Sequence, residues 1–423
     1  PDLYGMSYPL DRIFGYPAYY NIKCMLIVVM NGLAGYALGR AFTPSRAIAF
    51  AGGAVLAMNS FVALEFFGSG LRQAILAPTA LAVLSLERPL TRGAFKDGVA
   101  TGFFFALTAI FYWFYGLFIF LFAVMRGLVA LPALYRDERR WGKLLLIVEA
   151  AIIALGLATI FAYPYIMFKL DHTGQLPEVQ YLEDFPSFAT LQAATEFPRN
   201  LEENLMASLK RVLHSSWSLD YLWNPLHPRN VTLAVFVVAV LGCGAAIKRS
   251  WFWLISFVFV WLHTGGPFLM VEYNPGEQSY IMGSEEPIRL LYAYTFKFVP
   301  LMSRLFAPYR AGGYVWVMLA VLTVLALDGL RWRLGGGGRP RLVGAGAIKE
   351  TPEEAGEGEA PLSSRRPWMG PALASVFVLL FFGQQFGDDR VLAAIDSEMA
   401  GSLGRGLPVN TSHSKVHPFY HDL

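Results

Sequence analysis

The 423-residue chain is 55% hydrophobic and only 15% charged, with a mean hydropathy of +0.44. Soluble globular proteins carry about a quarter charged residues, so this composition excludes that class and describes a polytopic membrane protein. A formal net charge of +3 over this length leaves no basic footprint for nucleic acid, which is excluded as a partner.

The chain opens with PDLYGMSYPLDRIFGYPAYYN, a polar, aromatic segment punctuated by prolines. It lacks the basic start, apolar middle and small-residue cleavage site of a signal peptide. Apolar stretches long enough for about 30 Å of hydrocarbon then recur, and we place spans near 19–39, 46–64, 71–87, 97–113, 115–135, 143–165, 230–247, 250–270, 311–330 and 368–383. The region from Asp97 to Tyr135 is too long for one crossing. It is split at Tyr112-Trp113-Phe114-Tyr115-Gly116, where glycine permits a turn and aromatic rings suit an interface. The expected fold class is an all-α polytopic membrane protein of about ten transmembrane helices.

Arg40 with Arg46, Arg88 with Arg92 and Lys96, the Arg136–Lys143 cluster, Lys248 with Arg249, and Arg331 with Arg333 fall on one face of such an arrangement. The positive-inside rule makes that face cytoplasmic. Segments 166–229 and 271–310 and the tail 385–423 then form large extracytoplasmic regions, and the expected location is the bacterial inner (plasma) membrane. Residue 1 falls outside, so the topology expects an odd number of crossings before it, most simply one. Residues 332–367, glycine-rich and acidic in the middle, read as a flexible cytoplasmic linker between the 1–331 region and a final helix over 368–384. Cys24 and Cys243 lie in apolar segments assigned to opposite leaflets, too far apart for the roughly 6 Å Cα spacing of a disulfide.

Charges within or at the edge of a membrane are costly, so each suggests a function. Arg72 with Gln73, and Arg304 with Arg310 in VPLMSRLFAPYRAGGY, sit at outer helix ends against the orientation rule. A lipid-linked phosphate would suit them, because the guanidinium fork matches phosphate oxygens. Snorkelling, or pairing with Glu65, Glu272, Glu285 or Glu286, is the plainer alternative. The acidic set on that face is Asp2, Asp11, Glu65, Glu272, Glu285 and Glu286. A sugar transferase needs one carboxylate to take the acceptor's proton, sometimes with a divalent cation on the leaving phosphate. Solvated loop acids look the same in sequence.

Deeper in the bilayer, Arg126 and Glu149 fall at comparable depths in successive antiparallel spans, which predicts a structural ion pair. His263 reads as a hydrogen-bonded helix partner. His413, His417 and His421 share a helical spacing, but Pro418 argues against that helix, and no metal ligand is assigned. The stretch from Arg289 to Arg310 mixes aromatics and cations as an interfacial helix would. Trp217, Tyr221 and Trp223 could stack on a sugar ring or anchor at the interface.

YNIKCMLIVVMNGLAGYALGR, GSGLRQAILAPTALAVLSLER, HTGGPFL and VPLMSRLFAPYRAGGYVWVMLAVLTVLALDGL, in this order, resemble the large-loop glycosyltransferases of the GT-C superfamily, in particular the bacterial branch of YfhO-type proteins. The resemblance covers most of residues 1–331. It implies inverting transfer of a sugar from a polyprenyl-phosphate donor to an extracytoplasmic acceptor. It also implies a main acid in the first outer loop, upstream of residue 1, which leaves Asp2 and Asp11 as the catalytic candidates within this sequence. Arg72, Arg304 and Arg310 become donor-phosphate candidates, and Trp217, Tyr221 and Trp223 acceptor- or sugar-stacking ones. The partners implied are membrane lipids and the polyprenyl-phosphate-sugar donor, with a divalent cation left open as cofactor. The competing expectation is a non-catalytic structural or assembly subunit bound to other membrane subunits.

Overall fold

The structure, a computed structural model, describes residues 12–15, 18–67, 71–91, 94–138, 140–171, 217–218, 247–264, 269–270, 272–274, 279–281, 290–298, 308–334 and 368–386. In chain order the helices are α1 (Ala18–Arg40), α2 (Arg46–Ala57), α3 (Ser60–Phe67), α4 (Leu71–Ala74), α5 (Ala77–Thr91), α6 (Phe95–Phe111), α7 (Trp113–Tyr135), α8 (Arg140–Asp171) and α9 (Ile247–Thr264). They continue with α10 (Leu291–Phe298), a 3-10 turn (Pro308–Ala311), α11 (Gly312–Leu334) and α12 (Met369–Phe386). Extended structure among the described residues is confined to two short pairings. β1 (Trp217–Ser218) runs parallel to β2 (Leu269–Met270), and β3 (Glu272–Asn274) antiparallel to β4 (Ser279–Ile281).

Among the described residues five segments are long and apolar enough to cross a bilayer: Ala18–Arg40, Arg46–Ala63, Trp113–Pro132, Arg140–Tyr163 and Gly312–Leu334. Shorter apolar helices cover Ser250–Thr264 and Met369–Phe381. The chain is a helical, membrane-embedded protein.

The centre of the bundle is α11. Its sequence is apolar around the whole circumference, as an enclosed helix requires, and every residue from Gly313 to Gly329 is buried. Helices α2, α9 and α12 pack against it. Phe118 stacks on Tyr314 at 6.2 Å between ring centroids, Phe122 meets Trp253 at 5.5 Å, and Trp316 meets Phe381 at 6.5 Å. Where α1, α2 and α11 meet, backbones touch because side chains are missing. A Cβ on Gly35 would lie 2.9 Å from the Leu56 Cβ and 3.0 Å from the Gly53 Cα, and one on Gly52 would lie 2.6 Å from the Val324 Cγ2. Lipid is as apolar as leucine, so van der Waals contact of this kind is what joins helices in a bilayer.

Several expected boundaries are corrected. The span expected at 46–64 matches the Arg46–Ala63 segment, with a local break between α2 and α3, and the one expected at 71–87 is interrupted between α4 and α5. The split within 97–135 falls at Tyr112, which is extended (φ −154°, ψ 106°). Gly116, by contrast, is helical; a Cβ there would come within 2.6 Å of the Ala109 Cβ, so its role is close approach of α6 and α7. Helix α8 continues past residue 165 to Asp171, and α11 runs to Leu334, beyond the 331 boundary. Helix α9 ends at Thr264, ahead of Gly265-Gly266-Pro267, a helix-ending sequence. Residues 269–270, expected within that span, form β2 instead. The expected span at 230–247 lies outside the described residues except for its last residue.

Candidate functional site

Pro78 sets up the local chemistry. In an unbroken helix its nitrogen would donate to the Ala74 carbonyl, but proline has no N–H. The helix therefore breaks at Ile75-Leu76, and backbone groups on both sides need partners within a membrane interior. Asn31 of α1, fully buried, supplies most of them. Its Nδ2 donates to the Ala74 carbonyl at 2.8 Å, and its Oδ1 accepts from the Leu76 and Ala77 amides at 2.9 Å each. The Tyr115 hydroxyl donates to the Gln73 carbonyl at 2.8 Å.

Asn59 does the same for the other interruption. Its Oδ1 caps α3 by accepting from the Val62 amide at 3.0 Å, while Nδ2 reaches the Val55 and Leu56 carbonyls at 3.2 and 3.1 Å. Both breaks lie at one level along α1, because a Cβ on Gly32, next to Asn31, would sit 3.4 Å from the Ala57 side chain. Beyond that level the Tyr20 hydroxyl donates to the Phe66 carbonyl.

Glu65 lies on α3, two residues past the end of the Arg46–Ala63 span, and is only 3% exposed. Phe61, one turn earlier on the same face, lies 3.0 Å from where a Gly312 Cβ would stand. That face of α3 therefore looks onto the start of α11 and the 3-10 turn that carries Arg310. Burial pushes the Glu65 carboxyl up to about 7, and the Arg310 guanidinium pulls the other way. Among the described residues Glu65 Oε1 has no hydrogen-bond partner, and neither do Gln73 Oε1 or the Tyr314 hydroxyl, all buried. Nearby, His263 bridges helices: Nδ1 faces the Phe259 carbonyl at 2.7 Å and Nε2 the Thr295 hydroxyl of α10 at 2.9 Å. The Nδ1 opposite a carbonyl must carry the proton, so Nε2 accepts. His263 is thus the helix partner that the sequence predicts. A buried carboxylate within the field of a half-buried guanidinium can move a proton, and the guanidinium can hold an anion.

Of the donor-phosphate candidates, Arg310 is half-buried beside Glu65, and Arg72 is exposed on α4. Arg304, Asp2, Asp11, Tyr221 and Trp223 lie outside the described residues, as do His413, His417 and His421. Trp217 contributes backbone to β1. The expected Arg126–Glu149 pair is corrected. Arg126 of α7 grips Glu87 of α5 bidentately, at 2.6 and 2.8 Å, with its guanidinium 5.5 Å from the Phe252 ring. Glu149 on α8 abuts α6 instead, its Oε2 2.7 Å from where a Gly98 Cβ would stand. Asp97 beside it is 3% exposed. Among the described residues no three His, Cys, Asp or Glu side chains converge as metal ligands.

Sequence reading missed Asn31 and Asn59 as the residues that shape the site; an amide in the middle of an apolar run is the signal that could have found them. No family model matches the chain, and no curated protein or solved structure matches it either.

Proposed function

We propose that the protein is a GT-C-like integral membrane glycosyltransferase of about ten spans, transferring a sugar from a polyprenyl-phosphate donor to an acceptor on the extracytoplasmic side of a bacterial inner membrane. The observation that carries this reading is the buried Glu65 carboxyl beside Arg310, at the end of the bundle where two helices are broken. A guanidinium there suits the donor phosphate. Arg72, exposed on α4, which packs against α3, adds positive charge at the same end. The phosphate leaving group carries the charge that develops during transfer, so a cation held in a water-poor site favours the transition state over the bound donor.

The test is transfer by the purified full chain in nanodiscs, supplied with polyprenyl-phosphate-linked sugars extracted from membranes. Arg310→Ala should abolish transfer while the protein stays monodisperse, and full transfer by that variant removes the phosphate assignment. The same reading requires Ser303→Cys to react with an impermeant maleimide from outside and Glu138→Cys from the cytosol; the opposite pattern overturns it.

A second reading, a non-catalytic assembly subunit, draws support from α8. Only 11% of the residues of its apolar window are buried within the described structure, which leaves a long face for lipid or a membrane partner. Co-purification with another membrane subunit at fixed stoichiometry, together with no transfer, would favour it.

A further inference from the structure

Resting on the phosphate reading of Arg310, we propose that Glu65 and Arg310 form a proton-coupled anion site, in which a phosphate group seated on Arg310 draws one proton from solvent onto Glu65. Glu65 is almost wholly enclosed, with Oε1 lacking a hydrogen-bond partner among the described residues. Burial disfavours its ionised form, and the field of Arg310 offsets part of that penalty. An anion arriving at that guanidinium offsets the field and adds a second negative charge beside a carboxylate that water does not reach. Charges interact strongly at low local dielectric, and two anions sharing one cation are relieved by protonating one of them. The protonated carboxyl is also a better neighbour. Ionised, it can only accept hydrogen bonds and repels phosphate; protonated, it offers an O–H that a phosphate oxygen can accept.

Among the described residues, the other charged and titratable groups on the surrounding elements are placed as follows. Arg72 on α4 is exposed. Tyr19, Tyr20, Lys23 and Cys24 sit at this end of α1, and the Tyr20 hydroxyl is committed to the Phe66 carbonyl. Tyr115 on α7 donates to the Gln73 carbonyl. Tyr314 on α11 is fully buried, and both ring nitrogens of His263 on α9 are engaged. Glu65 already stands near 7 with Arg310 pulling it down, so weakening that pull carries it to the protonated side of neutrality. The ligand chemistry is a phosphate group, which a lipid headgroup or a free phosphate could supply.

The experiment is calorimetric titration of the full chain in nanodiscs with undecaprenyl phosphate, and separately with inorganic phosphate. Each titration is run near pH 8 in two buffers of different ionisation enthalpy. Undecaprenyl phosphate, a monoester with a second pKa of about 6, is already doubly charged there, and inorganic phosphate is mostly so, which leaves the protein as the main source of any proton uptake. We expect about one proton bound per phosphate and a Kd that weakens about tenfold per pH unit above neutrality. Glu65→Gln should bind with no proton uptake and a flat pH profile. Uptake with both probes supports a site that reads the phosphate alone, and uptake with the lipid only supports a headgroup site. Binding without proton uptake, or with unchanged uptake in Glu65→Gln, overturns this inference and leaves the donor reading intact. No binding of either probe overturns the donor reading, and this inference with it.

Discussion

Asn31→Ala removes the amide that bridges the α4/α5 break. Three hydrogen bonds go with it, of 2.8, 2.9 and 2.9 Å, all to backbone groups of a fully buried segment. Leaving a buried backbone group unsatisfied costs about 1–3 kcal/mol, whereas side-chain hydrogen bonds between membrane helices average only about 0.6 kcal/mol. Three bonds therefore bracket the loss between about 2 and 9 kcal/mol, and we expect about 4 kcal/mol because Pro78 denies the Ala74 carbonyl its in-helix partner. The same logic makes Pro78→Ala a partial rescue. It restores an N–H that can reach Ala74, so the double variant should lose less than Asn31→Ala does in a background with proline. The assay is SDS titration in mixed micelles, followed by tryptophan fluorescence. A loss below about 1 kcal/mol, or a cost of Asn31→Ala indifferent to residue 78, would refute the account of the break.

Glu87→Ala should destabilise by about 3 kcal/mol in the same titration, because it strands the Arg126 guanidinium in a site where both side chains are only about a tenth exposed; replacing both partners with apolar residues should recover much of that. Gly35→Ala drives a methyl into the Leu56 and Gly53 contacts and should cost about 1–3 kcal/mol. Gly127→Ala, with nothing within 4 Å, should be neutral or stabilise by about 0.5–1 kcal/mol. Stability should also fall as pH rises, because folding raises the Glu65 carboxyl from the ordinary 4.5 to about 7 and so disfavours its ionised form. The decline begins above the unfolded value, is complete above the folded one, and amounts to at most about 3 kcal/mol. Glu65→Gln should flatten it, and an unchanged slope in that variant would reject the assignment.

Apolar length made the membrane class and several helices legible: α1 and α12 lie within a few residues of their expected ends, and the Tyr112 break follows from a run too long for one crossing. The interruptions at Asn59 and Pro78 were hidden because hydropathy averages over a window and does not register which carbonyl has lost its donor. The partner of Arg126 was missed for a different reason. Comparable depth in successive spans pointed to Glu149, and Glu87, at the very end of its expected span, was not considered. In space α8 packs chiefly against α6, so α7 turns its cation toward α5. Of the site, Arg72, Glu65 and Arg310 were readable as ionisable residues out of place in apolar surroundings. That Arg310 belongs with Glu65 depends on α3 facing the start of α11, a contact between segments more than 240 residues apart that no local pattern encodes.

The enclosure of α11 bears on how the protein is made. A ribosome releases that helix after α1 to α9, yet its place is in their midst. During synthesis the earlier helices must either stay apart in the bilayer or hold lipid in the vacancy, and the late arrival expels it. The centre is therefore filled late, with only α12 of the described helices still to come, and a nascent chain stalled before Gly312 would lack the helix around which its neighbours pack.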